Sequence, residues 1–166
     1  MCASIVQVPN TEAEWRNIAH GFDTTWNFPH CLGALDGKHV TVRPPVNSGS
    51  YYFNYKHTFS VVFMALVDSD YKFIYVDVGC NGRVSDGGVF KNSTLHTAMT
   101  DNKLNSPPPE PLPRRSQQAP FVIVADDAFP LSENIMKPYA FRNLTPDQRI
   151  FNYRLSRARR IVENAF

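Results

Sequence analysis

Nine residues in a row, Phe59 to Val67, carry no charge and, apart from Ser60, no polar side chain. A strand with one wet face alternates apolar and polar residues, whereas an unbroken apolar run belongs to a strand covered on both faces. The chain must therefore place layers on either side of a sheet. At 166 residues it is long enough to do so as one domain, 1–166.

The neighbouring segments supply the rest of that sheet. Upstream, the stretch from Leu32 through Leu35, Val40 and Val42 reads as a strand that ends at Pro44-Pro45. Downstream, Asp68-Ser69-Asp70 is a turn, and Lys72 to Gly79 is the returning strand. Three strands joined by short connections make an antiparallel meander. Asp77 alternates with Phe73 and Tyr75 near the end of the third strand, where an edge or turn role accounts for it.

Helical patterns flank the strands. Thr11 with Glu14 forms a capping box for a helix over residues 11–20, closed by Gly21. Ser85 and Asp86 open a crossover helix with Val89, Phe90, Leu95 and Met99 on its apolar side. Residues 101–119 are a proline-rich insertion, expected to be a loop within the domain. Pro120 to Asp126 is a further buried strand, and Ser132 to Met136 a short helix. The longest helix runs from Pro146 to Phe166, with Phe151, Leu155, Ala158, Val162 and Ala165 as its core face. The sequence stops inside that helical pattern, so a longer parent protein is expected.

Asp36 is the awkward residue. Burying an unpaired carboxylate costs several kcal/mol, so it is either hydrogen-bonded to a nearby turn or ligates a metal. Asp86 has a plain explanation as a first-turn acid, Asp126 as a strand terminus, and Glu163 as a surface partner of Arg159 or Arg160. Taken together they raise a second possibility. A strand that follows a crossover helix can rejoin the meander in parallel beside its first member. The end of the Asp126 strand then falls next to Asp36, and a helix across those ends presents Glu163 there. Converging carboxylates repel unless hard divalent cations such as Mg²⁺ or Mn²⁺ hold them. Two such ions can cleave a phosphodiester.

Other chemistries find less support. Cys2, Cys31 and Cys80 form no CxxC pair, against a disulfide framework or a finger-type zinc site. There is no phosphate-binding glycine loop and no HExxH, and no nucleophile elbow accompanies Ser85, Asp86 and His39. No signal or lipidation motif and no 18-residue apolar run occurs, so a soluble chain with no membrane partner is expected.

Charge is unevenly placed. The net is +2, but Lys137 to Glu163 holds seven Lys or Arg against two acids. Such a surface suits an anionic partner, or is simply a solvated arginine-rich helix. Tyr51-Tyr52-Phe53-Asn54-Tyr55-Lys56 interleaves aromatics with a lysine, a composition that can stack on bases or merely pack.

Several motifs in series resemble one family. They are WNFP, GALDGKHV, RPPVNSGSYYFNYK, VDSDYKFIYVDVG, GRVSDGGVFKNS, ADDAFPL and RLSRARRIVENAF, in order over nearly the whole chain. The chain resembles the PIF/Harbinger transposase-derived nuclease-like proteins, with a DDE superfamily endonuclease domain. The resemblance implies an α/β, RNase H-like fold: a mixed sheet, antiparallel meander plus parallel strand, flanked by helices. It implies a nuclear, divalent-metal-dependent DNA endonuclease using Mg²⁺ or Mn²⁺, with cytoplasmic residence also open. Carried over by position, Asp36, Asp126 and Glu163 are the catalytic acids, and Asp86 joins them as a metal ligand. Relatives usually have His-Asp where this chain has Ser85-Asp86, and often Ser where it has Asp127. Lys38, Lys56, Arg157 and Arg160 are the candidate DNA contacts. A separate DNA-binding accessory protein is a further expected partner. The alternative is a domesticated, inactive DNA- or partner-binding module.

Overall fold

The computed structural model describes the backbone of residues 3–6 and the chain from residue 8 to 166. The first strand, β1 (Ala3–Val6), precedes a 15-residue helix, α1 (Glu12–Trp26). Thr11 caps α1 as expected: its hydroxyl accepts from Glu14 N–H, and Glu14 accepts from Thr11 N–H at 3.0 Å. Gly21 does not close the helix. A side chain there would collide with Ser69 in a neighbouring turn, so Gly21 serves close packing, and α1 continues to Asn27, which turns left-handed at φ 53°.

The meander follows as β2 (Cys31–Thr41), β3 (Ser60–Val67) and β4 (Phe73–Asn81), all antiparallel. β3 is central and covered on both faces, with Val62, Met64 and Leu66 in one core cluster and Ala65 and Val67 in the other. β2 differs from expectation in its second half. Cys31 to Leu35 are buried, but Val40 is 44% exposed, and Asp36 stands at the boundary. Its carboxylate therefore does not bear the cost of full burial. Asp77 is also corrected. β1 pairs with β4 on its outer side, so Asp77 lies inside the sheet, buried, with Tyr75 Oη donating to it at 3.5 Å.

The crossover is two short helices, not one: α2 (Asp86–Lys91) and α3 (Thr94–Thr100). Ser93 starts the second by accepting from His96 N–H at 3.1 Å, interrupting a single helix at Asn92. The proline-rich segment carries a two-residue hairpin, β5 (Glu110–Pro111) with β6 (Gln118–Ala119). It is tied to α1 through Arg16–Glu110 contacts and the 2.7 Å bond from Trp15 Nε1 to Leu104 O.

Then come β7 (Val122–Val124), parallel beside β2, and β8 (Ile135–Met136), parallel beside β7. The expected helix over Ser132–Met136 is thus a strand. Ile135 is buried, and parallel pairing of Ile135 with Ile123 and Met136 with Val124 holds the segment extended. Last is α4 (Pro146–Ala165), capped by Thr145 and Gln148. Its buried face is Asn152, Leu155, Ala158, Ile161 and Val162, rotated slightly from the expected one, with Phe151 and Ala165 only partly covered.

The sheet order is β1-β4-β3-β2-β7-β8. Residues of α2 and α3 pack one face, α4 packs the other, and α1 contributes to both clusters. An antiparallel meander extended by parallel strands and covered by helices on both faces is an RNase H-like fold.

Candidate functional site

The site is set by strand register. β2 and β7 run parallel with Ala34 opposite Val124. Asp36 and Asp126 each lie two residues beyond those partners, which returns both to the same sheet face. That face is the one carrying Ala34, Val124 and the buried side of α4. The two carboxylates come into each other's field where β7 ends beside the middle of β2. Asp36 Oδ1 accepts from Gly37 N–H at 2.9 Å, and Asp126 Oδ1 from Ala128 N–H at 2.9 Å.

Asp86 arrives from α2. A Cβ on Gly37 would stand within 2.5 Å of Asp86 Cγ, so the missing side chain lets this carboxyl lie against β2. Gly87 does the same one residue on, since its Cβ would meet Ala128 O at 2.5 Å in the turn after Asp126. Two glycines therefore let the start of α2 lie close against β2 and the turn after Asp126, within the field of Asp36 and Asp126. The helix cap is Ser85, whose hydroxyl accepts from Gly88 N–H. Asp86 is left with a buried Oδ1 that has no hydrogen-bond partner, so a first-turn role alone does not account for it.

Glu163 comes from α4 with an unexpected companion. Arg159 stands between the two acids, its Nη2 at 3.9 Å from Asp36 Oδ2 and 3.5 Å from Glu163 Oε1. Its side chain is only 16% exposed, and its Nε has no partner. The sequence offered Arg159 as a surface ion-pair partner of Glu163; its reach to Asp36 appears only once α4 is laid on the sheet.

The electrostatics follow from crowding. Burial, then repulsion from Asp36 and Asp126, pushes the Asp86 carboxyl up to about 6 from 3.8, against a pull from Lys56. Asp36 is also raised, chiefly by burial, with Asp126 and Glu163 adding repulsion and Gly37 N–H and Arg159 opposing. An all-carboxylate set with one orphaned oxygen and mutual repulsion has the donor chemistry of a hard divalent-cation site. Among the described residues, no three acidic, histidine or cysteine groups are already gathered to hold an ion. The residues fit the cation by chemistry, with Arg159 supplying positive charge between two of them.

The candidate DNA contacts are placed unevenly. Lys56 reaches the acid cluster closely enough to influence Asp86, and lies over the Tyr55 ring. Lys38 Nζ donates to Phe166 O at 3.0 Å. Arg160 is exposed, roughly 60° around α4 from Glu163. Arg157 packs against Trp26 and Tyr153, 5.9 Å from each ring, and is not brought to the acids. In the 51–56 stretch, Tyr51 and Tyr55 are exposed while Asn54 is buried, bonding Ser60 and Thr58 to shape the loop. His39 Nδ1 hydrogen-bonds Ser60 Oγ at 2.8 Å, engaging a serine other than Ser85. Cys2 lies outside the described residues, and burial pushes the Cys31 thiol up to about 12, which suits packing.

Comparison with known proteins shows the family of the chain. The DDE superfamily endonuclease family matches residues 35–166, and the chain belongs to it. It is also 30% identical over 150 residues to Protein ALP1-like from Arabidopsis thaliana. That match covers 89% of this chain and 37% of the relative, so the chain spans little more than a third of its length. No solved structure matches the chain significantly. The transposase-derived, nuclease-like identity implied by the serial motifs is borne out.

Proposed function

We propose that the chain is the nuclease domain of a divalent-metal-dependent DNA endonuclease, with Asp36, Asp126 and Glu163 as the catalytic acids. The observation carrying this reading is the parallel register of β2 and β7, which sets Asp36 abreast of Asp126. Asp86 is the fourth acid, held there by Gly37 and Gly87. These four carboxylates would hold Mg²⁺ or Mn²⁺. When bound, such ions activate water and stabilise the leaving oxygen in phosphodiester cleavage. The chain itself orients the acids on rigid elements and keeps Asp36 mostly covered, so that charge there is weakly screened. Lys38, Lys56 and Arg160 supply phosphate contacts around the rim, and Arg157 a more distant one.

DNA is the proposed substrate, the nucleus the proposed location, and a separate DNA-binding protein a proposed partner. A second reading is a DNA- or partner-binding module without catalysis. One observation favours it: the Arg159 guanidinium lies between Asp36 and Glu163. The test is incubation of the protein with DNA and Mg²⁺ or Mn²⁺, comparing wild type with Asp36→Ala and Asp126→Ala. Cleavage lost in both variants supports the nuclease; cleavage that survives both sinks the assignment. Salt-sensitive DNA binding without any cleavage selects the second reading.

A further inference from the structure

A cleft of about 460 Å³ opens directly beside the acids. Asp126 and Arg159 line one end; Phe141, Arg149, Tyr153 and Ser156 line the rest. Its volume falls in the roughly 300–1,000 Å³ range of small-ligand sites. Arg149, Asn152, Ser156, Arg159 and Glu163 recur at steps of three and four, so they form one stripe along α4. The cleft thus continues the acid site along the helix toward its N-terminus. From Glu163 to Arg149 that stripe is about 21 Å long at 1.5 Å per residue.

Its far wall is built. Buried Asn152 accepts from Tyr139 N–H at 2.9 Å and donates back to Tyr139 O at 3.0 Å. Lys137 Nζ donates to Asp127 O at 3.2 Å, pinning the same wall to the turn after Asp126. Tyr139 also packs edge-on against Phe151, 5.3 Å between centroids. Two residues after this anchor, Phe141 is left 84% exposed, and across the cleft Tyr153 is 64% exposed. A fixed wall that presents an aromatic ring to solvent has the form of a stacking platform.

We infer that this cleft takes an unpaired nucleotide next to the scissile phosphate, its base against Phe141 and Tyr153 and its backbone at Arg149. The inference rests on the nuclease reading and adds to it a substrate class: DNA with a single-stranded or opened segment at the cut. Three features favour a nucleotide over another ligand. The cleft is continuous with the acid site, it offers apolar rings of either wall to a base, and it carries a cation at each end. Asp126 and Asp127 at its mouth repel a bare phosphate, so the inner part suits the base.

The experiment is fluorescence anisotropy of labelled oligonucleotides in EDTA: a short single strand, a blunt duplex, and a duplex with a single-stranded overhang. Phe141→Ala combined with Tyr153→Ala is expected to weaken single-strand and overhang binding about tenfold, with duplex affinity changed less than twofold. Arg149→Gln is expected to reduce the salt dependence of single-strand binding by about one phosphate contact. These side chains are exposed, so the fold is retained, and a circular dichroism spectrum checks it. A 2-aminopurine base at the cut position should lose fluorescence on binding wild type and regain it in the double variant. Equal losses on duplex and single strand, or no loss at all, overturn the inference while cleavage by wild type leaves the nuclease reading standing. Failure of wild type to bind any of the three DNAs in EDTA overturns the inference, and absence of cleavage of all three with Mg²⁺ or Mn²⁺ overturns the nuclease reading.

Discussion

Asp86→Asn should make the metal-free protein more stable at neutral pH, and the gain should vanish in acid. The carboxyl is pushed up to about 6 by burial and by Asp36 and Asp126, from an ordinary 3.8. A carboxyl raised in the folded state binds its proton more tightly there than in the unfolded chain. Stability is therefore greatest below the unfolded value and falls as pH rises from about 4 to about 6. A shift of that size corresponds to ~3 kcal/mol unscreened, and partial exposure reduces it to ~1–2 kcal/mol. Asparagine keeps the shape beside Gly37 and removes the charge. For a domain of this size the gain is about 3–6 °C in Tm at roughly pH 7.5, and near zero at roughly pH 4. The assay is thermal unfolding of both proteins in EDTA across that range. A variant no more stable at neutral pH, or with a gain that persists unchanged in acid, refutes the crowding of these acids.

Three further outcomes follow from named contacts. Gly37→Ala should displace the Asp86 carboxyl and weaken Mn²⁺ binding about tenfold in calorimetry, with far-UV circular dichroism unchanged; unaltered affinity would show that Asp86 lies outside the metal site. Arg159→Gln removes the cation between Asp36 and Glu163. It should lower metal-free stability by ~1–3 kcal/mol yet tighten Mn²⁺ binding about tenfold, and weaker binding would mean that Arg159 holds the acids in place instead. Trp15→Phe loses the Nε1 bond to Leu104 O; a cost of ~1–2 kcal/mol and faster tryptic cutting at Arg114 or Arg115 are expected, and unchanged proteolysis would contradict the tether.

The acids on strands were legible because register and sequence order constrain one another. An apolar meander, a crossover and a fourth strand leave few places for Asp126 other than beside Asp36. Less local features were hidden. β1 is four residues long and gains its meaning only from β4 beside it, so Asp77 was assigned to an edge that does not exist. β8 is two residues, too short to carry a period, and Ser132, three residues ahead of it, resembles a helix cap. Gly21 has the signature of a helix stop, yet it answers to Ser69 in a distant turn. Arg159 illustrates the same limit at the site. Its helical neighbour Glu163 is visible at four-residue spacing, but Asp36 is far away in the chain. Gly37 and Gly87 were visible as glycines, but the carboxyl and carbonyl that require them were not.

Asp36, Asp86, Asp126 and Glu163 are proposed to form one divalent-cation site. Calorimetric titration of the protein with Mn²⁺, repeated on Asp36→Asn, tests it most directly. Saturable binding by wild type that is lost in the variant is expected, accompanied by a rise in Tm with Mn²⁺ for wild type alone. Equal heats from both proteins, or none from wild type, would contradict it.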